Sequence, residues 1–425
     1  MVPHLVTGLN GPINELEQRI LDSTPSIERW FRLEWMEHTP TFYCAVDVRN
    51  AGYKLAPVDT DLFPEGWNSL TPSMLPLDVQ AAMAAIEKIC PEARNLLIVP
   101  RNQVPSAAYL ASLSQLRQIF RMAGLNVRLG SISPDLKKPE TLTLPDGETL
   151  TLEPVVRVKG RVMVKDFDPC TILLNNDLRA GVPGILEDLH LQYLLPPFHA
   201  GWSLRRRSNH LKCLEEVSKR FGKLIGVDHW LVAPLYDKCA QVDFASDAGV
   251  QELAQRVDAL LTKIRKKHKE YGIKEKPFVV VKADNADPAL ATALVRDAKD
   301  LLAQRAAMVQ ALPPKRSAVF DVVLQEGVPA SERVNDAVAE PVVYMMDRYV
   351  VGGFYRVHAG TPQGAAQSGF VPLAFADSAQ LPQPGAKPGA SAPNRFYMYG
   401  VVGRLAMLAA SYELEATDPD AERYN

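Results

Sequence analysis

The sequence predicts a mixed α/β fold that contains a parallel sheet. Between residues 76 and 129 helical apolar periodicity alternates with short continuous apolar runs, which predicts helix, strand, helix and strand in turn. Alternation of this kind is typical of a three-layer α/β unit. The chain has 425 residues, of which 47% are hydrophobic and 23% charged, so it can form two or three packed domains and is not disordered as a whole.

The individual elements follow from apolar spacing and from capping residues. Residues 12–38 predict two helices separated at Thr24-Pro25-Ser26, and residues 41–48 predict a strand. In the α/β unit, helices are expected at 76–90 and 106–123 and strands at 95–99 and 125–129. Further strands are expected at 141–144, 148–152, 171–174, 278–282, 319–324 and 342–346, and further helices at 212–225, 251–271 and 395–416.

Two glycine-containing dipeptides predict turns. Asp146-Gly147 joins the strands at 141–144 and 148–152 and can supply the positive φ angles of a hairpin. Gly352-Gly353 is expected to turn a second hairpin over residues 348–358. Residues 379–393 are rich in Pro, Gly, Ala and Ser, which predicts a mobile loop.

Charge and cysteine content narrow the classes of function. Lys and Arg number 47 against 49 Asp and Glu, so the net charge of -2 gives no overall attraction to nucleic acid or an anionic membrane, and a small-molecule partner is expected. No apolar run approaches the length of about 18 residues that spans a bilayer, and residues 1–13 lack a secretory pattern. We therefore expect a cytoplasmic protein. The five cysteines show no C-x-x-C spacing, which argues against a disulfide framework or a thiolate zinc site.

The C-terminal third suggests a nucleotide clamp. Lys282 ends one apolar strand, Gln325-Glu326-Gly327 ends another, and residues 347–356 carry Arg348 and Arg356. A Lys and an Arg can contact one polyphosphate, while a Glu after a strand can accept a hydrogen bond from an adenine amino group. Singly, each has a simpler reading: a solvated strand end, or an ordinary turn. Their order within 75 residues favours the clamp, with Lys282 and Arg356 converging on one triphosphate.

Two upstream clusters suggest recognition of a carboxylate or a zwitterion. Arg205-Arg206-Arg207 precede a predicted helix, and a guanidinium gives two parallel hydrogen bonds to a carboxylate or phosphate. The alternative is a solvated basic patch, and Trp202 beside it is interpreted as a packing residue. Strand alternation directs Asp47 and Arg49 to one side, where they could face a zwitterion or form only an edge-strand salt bridge.

Several long segments resemble a bacterial family of glutamate-cysteine ligases. They are FYCAVDVRNAGYKLAPVDTDLF (42–63), FDPCTILLNND (167–177), residues 199–210, VNDAVAEPVVYMMDRYVVGGFYRVH (334–358) and residues 369–376. The resemblance is colinear over about residues 1–416. It implies an ATP-grasp fold with a Rossmann-like N-terminal domain. The corresponding division is a Rossmann-like α/β domain at 1–140, a central α/β region at 141–275 and an ATP-grasp nucleotide-binding region at 276–425.

The resemblance also implies a reaction. In that family ATP and Mg²⁺ drive the joining of the glutamate γ-carboxylate to the cysteine amine, through γ-glutamyl phosphate, in the first step of glutathione biosynthesis. By resemblance, Lys282 and Arg356 are catalytic and contact phosphates, and Glu340 is the expected Mg²⁺ ligand. The implied ATP-binding residues also include Gln325, Glu326 and Arg348. The residues implied to bind glutamate and cysteine are Arg49, Lys54, Arg205 and Arg206.

Three loops depart from the family's pattern. Residues 285–293 (NADPALATA) replace a glycine-rich phosphate loop, and Asp287-Pro288 predicts instead the N-cap of a helix running toward Gln310. Residues 360–368 (GTPQGAAQS) offer neither Asn nor an acid to Mg²⁺, and residues 100–106 (PRNQVPS) are less polar than expected. The alternative function is therefore a catalytically impaired relative that acts as a binding or scaffold protein. An unrelated α/β binding domain is a third reading.

Overall fold

A computed structural model describes residues 5–6, 12–102, 106–314, 316–334, 337–359, 367–372 and 395–419. The helices within these ranges are α1 (Pro12–Asp22), α2 (Thr24–Glu37), α3 (Leu75–Ile89), α4 (Ala107–Met122), α5 (Arg207–Ile225), α6 (Asp247–Glu270), α7 (Ala298–Gln310) and α8 (Arg395–Thr417). The strands are β1 (Leu5–Val6), β2 (Tyr43–Asn50), β3 (Leu55–Asp61), β4 (Asn95–Pro100), β5 (Asn126–Ser131), β6 (Glu140–Thr143), β7 (Thr149–Pro154), β8 (Val156–Val158), β9 (Arg161–Met163), β10 (Thr171–Asn175), β11 (Tyr193–Leu195), β12 (Tyr236–Asp243), β13 (Val279–Ala283), β14 (Ala293–Val295), β15 (Val319–Glu326), β16 (Arg333–Val334), β17 (Ala337–Met346), β18 (Tyr349–Ala359) and β19 (Gln367–Pro372).

The predicted parallel sheet has six strands in the order β11-β10-β4-β5-β7-β6. All neighbours are parallel except the β6–β7 hairpin, in which Gly147 adopts a φ of 89°. Leu96 and Ile98 of β4 pack into one apolar core, and the alternate residues Leu97 and Val99 pack into another. Both faces of β4 are therefore buried, as expected for the middle layer of an α/β unit.

A seven-stranded sheet joins the two ends of the chain. Its main path is β1-β16-β17-β18-β19, and β2 pairs with both β17 and β3. Every pairing in it is antiparallel. Helix α8 contacts β2, β3 and β17 and is buried along most of its length, which explains its continuous apolar sequence. The sheet thus combines strands from the predicted regions 1–140 and 276–425.

The third unit, which we call the small lobe, comprises residues 236–326. It contains the antiparallel sheet β12-β15-β13-β14 and the helices α6 and α7. Apolar residues of α6 at the helical spacing of Val250, Leu253 and Val257 pack with Val279 and Val281 of β13 in a core of their own. The whole molecule is a mixed helix and sheet fold, as predicted. The Rossmann-like assignment of its N-terminal region stays a prediction.

The prediction of a helix beginning at Asp287 is wrong. Asp287 accepts a hydrogen bond from Ala289 N in a turn and contacts Arg316, and residues 293–295 form β14, which pairs with β13. Helix α7 begins later, where Asp297 accepts from Asp300 N as its N-cap. Ala293 and Val295 are buried in the small lobe, so tertiary packing overrides the local helix signal.

The prediction of a Gly352-Gly353 turn is also wrong. Both glycines lie inside the continuous strand β18, opposite Tyr344 and Val343, and the chain reverses at Asp347 and Arg348 instead. A Cβ on Gly352 would lie 2.7 Å from Met74 Sδ, so the residue must be small because of packing and not because of a turn. The predicted loop at 379–393 and residues 360–366 of the altered metal loop lie outside the described residues. Among the described helices, none is long and apolar enough to cross a membrane.

Candidate functional site

A cavity of about 380 Å³ lies where the seven-stranded sheet meets the parallel sheet. The neighbouring strands β3, β2, β17 and β18 contribute side chains to it, while β10 ends and α5 begins at its wall. Acidic and basic groups line it in similar numbers. The acidic residues are Asp47, Asp59, Asp61, Glu65 and Asp177, and the basic residues are Arg101, Arg179, Arg207 and Arg356.

Three of these arginines are held by carboxylates of the protein. Arg356 donates to both oxygens of Asp47, at 2.9 and 3.2 Å. Arg101 lies 2.8 Å from Glu65, and Arg179 lies 3.0 Å from Asp177. A cavity with fixed charges of both signs is suited to a zwitterion such as an amino acid.

The acidic groups differ in their proton affinity. Burial, together with the negative charges of Asp59 and Glu65, raises the pKa of Asp61 to about 6, although the hydrogen bond from Phe63 N opposes the shift. Burial would also raise the pKa of Asp59, but Arg207 and Lys282 lower it to about 2. The cavity therefore holds one carboxyl group that can exchange a proton near pH 6.

Lys282 lines a narrow adjoining cavity of about 20 Å³, which shares the wall residues Asp59, Trp202 and Arg207 with the larger one. Its ammonium donates to Gln325 Oε1 at 2.9 Å and to Val58 O at 3.3 Å. Burial lowers the pKa of Lys282, while the negative charges of Asp59 and Asp47 oppose this shift. Lys282 and Arg356, which are 74 positions apart in sequence, therefore border adjoining spaces and both interact with Asp47.

Arg207 and Asp61 are functional candidates that the sequence did not single out. Arg207 lines both cavities, and its guanidinium lies 4.6 Å from the centre of the Trp202 ring. Asp284, two residues after Lys282, fixes the start of α5: its backbone carbonyl accepts from Arg207 N, and its carboxylate accepts from Ser208 N and Ser208 Oγ. The arginine run suggested such a residue, but no local signal identifies which arginine faces the cavity.

Lys54 and Glu326 form a buried ion pair outside both cavities. Lys54 Nζ lies 2.7 Å from Glu326 Oε2, and neither side chain is more than 1% exposed. Glu326 also accepts hydrogen bonds from Trp230 Nε1 and Leu235 N. These contacts engage both carboxylate oxygens of Glu326. The predicted contacts of Lys54 with a substrate and of Glu326 with adenine stay predictions.

Arg205 lines the narrow cavity but is held by an internal ion pair, and Arg206 lines neither cavity. Arg205 is buried, donates to both oxygens of Glu413 at 3.0 and 2.9 Å, and donates to Thr60 O. Arg206 donates to the backbone carbonyls of Leu204 and Arg205. Arg205 is therefore paired with Glu413 at the wall of the narrow cavity, Arg206 contacts its own loop, and Arg207 lines both cavities.

Glu340 and Arg348 line neither of these two cavities, and their predicted roles stay predictions. Glu340 lies 2.9 Å from Arg49 and 2.9 Å from His358, so it is engaged by two basic groups. Within the described part of the chain, no group of three or more His, Cys, Asp or Glu side chains could hold a metal ion. Arg348 lies at the turn before β18 and lines a different cavity, between α2 and α8, so it is not brought together with Lys282 and Arg356.

Comparison with known families decides the relationship. A family model described as glutamate-cysteine ligase matches residues 17–414. This chain belongs to the glutamate-cysteine ligase family. A crystal structure from Methylobacillus flagellatus KT, which bears the provisional name gamma-glutamylcysteine synthetase, is 48% identical and has a TM-score of 0.87, over 98% of this chain and 100% of that chain.

Two further solved structures are similar only at a much lower level. D-alanyl-alanine synthetase A from Vibrio cholerae is 11% identical over 74% of this chain and 81% of that chain, with a TM-score of 0.36. A glutathione synthetase-like effector from Globodera pallida is 12% identical over 85% of this chain and 80% of that chain, with a TM-score of 0.35. These scores carry no argument about the glutamate-cysteine ligase fold. Among curated proteins, none matches this chain.

Proposed function

We propose that this member of the glutamate-cysteine ligase family is an ATP-dependent ligase that forms γ-glutamylcysteine through γ-glutamyl phosphate. One observation carries the proposal: a cavity with charges of both signs adjoins a narrow cavity that contains a buried lysine. The first is suited to amino acids, and the second supplies a cation for a phosphate. The proposal includes the first step of glutathione biosynthesis, and a cytoplasmic location where all three substrates are available.

We further propose that the fold is of the ATP-grasp type. The antiparallel small lobe presents Lys282 from β13 toward the antiparallel seven-stranded sheet, which presents Arg356 from β18. A site between two such sheets can enclose a polyphosphate and exclude water from it. Val58 of β3 supports this arrangement, because its carbonyl accepts hydrogen bonds from both Lys282 and Gln325 of the lobe.

The residues present fit ATP better than they fit Mg²⁺. ATP would supply the phosphoryl group that activates the γ-carboxylate, and the Lys282 and Arg356 side chains would neutralise its negative charge. Glu340, the ligand expected for Mg²⁺, is already paired with Arg49 and His358. The use of Mg²⁺ is therefore supported by family membership alone. No step is assigned to the metal.

The second half-reaction needs a proton acceptor. Cysteine carries an ammonium group at neutral pH, and the amine must lose a proton before it can displace phosphate. Asp61 lines the cavity with a pKa of about 6, so its carboxylate is ionised at neutral pH and is available as that acceptor. The other acidic residues that engage arginines, such as Asp47, are better placed to hold those arginines in position.

The proposal is tested by following ADP release and product mass with ATP, Mg²⁺, glutamate and cysteine. We expect ADP release to require both amino acids, and the product to have the mass of γ-glutamylcysteine. Lys282→Ala is the matched control, because it removes the ammonium from the narrow cavity. ADP release no greater than that of this variant would contradict the ligase function.

One observation favours the alternative of a catalytically impaired relative. Residues 285–293, in the place of the family's glycine-rich loop, bury Leu290 in the small lobe and join Asp287 to Arg316. Such a segment is tied to the lobe and lacks the freedom of a glycine-rich loop. A protein that binds without turnover would still be stabilised, by about 2.7 kcal/mol at a ligand concentration of 100 times its Kd. Stabilisation by ATP and glutamate in a thermal-shift titration, without ADP release, would therefore identify this alternative function.

A further inference from the structure

Arg207 differs from the other arginines of the large cavity in its hydrogen bonding. Arg101, Arg179 and Arg356 each lie within 3.0 Å of a carboxylate oxygen. The nearest carboxylate to Arg207 is Asp59, at 3.7 Å, which is longer than a hydrogen bond. Its Nε and Nη1 atoms are buried and have no hydrogen-bond partner among the described residues. The guanidinium therefore keeps donors available for a further acceptor.

The packing around Arg207 directs those donors along the edge of the guanidinium plane. The group lies over the Trp202 ring, and Arg205 lies 4.9 Å from the centre of the same ring. An aromatic ring stabilises a guanidinium through its face and leaves its N–H groups, which lie in the plane, free to donate. Because Asp284 holds the first residues of α5, the base of this side chain is fixed before any ligand binds.

The charges around Arg207 favour an anion. Asp59 contributes one negative charge against the positive charges of Lys282 and Arg207, while the charge of Arg205 is already paired with Glu413. Trp202, Asp59 and Arg207 form the wall shared by the two cavities. A group held there faces the acidic and basic residues of the large cavity on one side and Lys282 on the other.

We propose that Arg207 binds the γ-carboxylate of glutamate, the carboxylate that is activated in the reaction. This inference rests on the proposed ligase function. In that reaction the γ-carboxylate is the group that must lie between the amino-acid site and the phosphate site, which is the place that Arg207 occupies. The planar guanidinium can donate two parallel hydrogen bonds to a carboxylate.

The test compares glutamate with glutamine, which has the same shape but lacks the γ-carboxylate charge. Dissociation constants of both are measured by calorimetry for the native protein, Arg207→Gln, Arg207→Lys and Arg206→Gln. Loss of a charge-assisted contact should weaken glutamate binding about 10- to 100-fold in Arg207→Gln and leave glutamine binding nearly unchanged. Arg207→Lys should lie between, because a lysine keeps the charge but loses the planar pair of donors.

Arg206→Gln is the matched control, because Arg206 precedes Arg207 but donates to backbone carbonyls and lines neither cavity. It should keep the native preference for glutamate. The inference is overturned if Arg207→Gln keeps that preference in a protein whose native form is an active ligase, and the proposed function then stands. It is also overturned if Arg207→Gln weakens ADP binding and not glutamate binding, which would assign the residue to a phosphate. If the native protein neither binds glutamate nor releases ADP, the proposed function fails together with the inference.

Discussion

Glu413 carries a buried negative charge that depends on two basic partners. Burial would raise the pKa of this α8 carboxyl, but Arg205 and His210 lower it to about 2. Glu413 Oε2 lies 2.9 Å from Arg205 and 3.1 Å from His210, and His210 in turn lies 3.0 Å from Thr60 of β3. One carboxylate therefore connects α8, α5 and the strand that supplies Asp59 and Asp61 to the cavity.

This arrangement predicts acid sensitivity with a defined sign. A carboxyl whose pKa is lowered on folding stabilises the protein above its unfolded pKa of about 4.5, and that stabilisation is lost as the pH falls toward 2. The loss is on the order of 3 kcal/mol for the native protein. We expect Glu413→Gln to be less stable at pH 7 but to show a smaller further loss between pH 5 and 3 in urea unfolding. Glu415→Gln, which removes a more exposed carboxylate on the same helix, should keep the native slope. Equal slopes for all three proteins would contradict the assignment.

A second residue-scale prediction concerns the proton acceptor. If Asp61 receives the proton from the cysteine ammonium, Asp61→Asn should lower kcat by about 10²- to 10⁴-fold. The native pH profile of kcat should rise with pH through about 6, where the Asp61 carboxyl ionises, and this limb should be lost in the variant. Glu65→Gln removes another carboxylate of the cavity, one that Arg101 holds, and should keep the limb but move it to a lower pH, because Glu65 helps to raise the pKa of Asp61. A native-like pH profile in Asp61→Asn would assign the acceptor elsewhere.

At the scale of the elements, Gly352 shows why a local signal was misleading. The residue is part of β18 and leaves room for Met74 at the start of α3 and for Leu70. Gly352→Ala should destabilise the protein by about 1–3 kcal/mol, because the added Cβ would lie 2.7 Å from Met74 Sδ. Shortening the neighbour in Gly352→Ala/Met74→Ala should cost less than the sum of the two single changes. Strictly additive free energies of unfolding would show that the two residues are not coupled.

Elements with a strong local pattern were predictable, and elements set by distant contacts were not. Apolar spacing predicted the helices α5, α6 and α8, and a continuous apolar run predicted the strand β4. The predicted bounds lie within about five residues of the observed ones. Strand β14 has three residues and exists because β13 offers it a partner, so its sequence carries no signal of its own.

The same distinction applies to the candidate site. Alternation along β2 predicted that Asp47 and Arg49 project to one side, and the structure adds their partners, Arg356 and Glu340. Lys54 and Glu326 are 272 positions apart, and the sequence contains nothing that shows they neutralise each other. Sequence could therefore nominate charged residues for the site, but only the fold could separate those facing a cavity from those already paired.

At the scale of the whole molecule, the small lobe has its own core but shares buried polar contacts with the remainder of the chain. The Lys54–Glu326 pair, the Asp284 contacts with α5 and the bonds from Lys282 and Gln325 to Val58 all cross this boundary. The proposed ATP site lies at the same boundary. Groups that couple the lobe to the rest of the chain therefore also hold Lys282, the lysine proposed to bind phosphate, in position.

The Lys54–Glu326 pair predicts how this coupling can be broken. Lys54→Met leaves the Glu326 charge buried without its cation, which should cost about 3–5 kcal/mol. All five tryptophans lie outside residues 236–326, but Trp230 contacts both members of the pair, so every protein is compared in a Trp230→Phe background. The fluorescence of the other four tryptophans then reports on the remainder of the chain, while far-UV circular dichroism also reports on the helices of the small lobe. In the native protein we expect the two denaturation curves to coincide. In Lys54→Met the dichroism should begin to fall at a lower denaturant concentration than the fluorescence, and Lys54→Met/Glu326→Gln should bring the curves back together because the uncompensated charge is gone. Coincident curves in Lys54→Met, even at a lower midpoint, would mean that the lobe and the rest of the chain unfold as one cooperative unit without this pair.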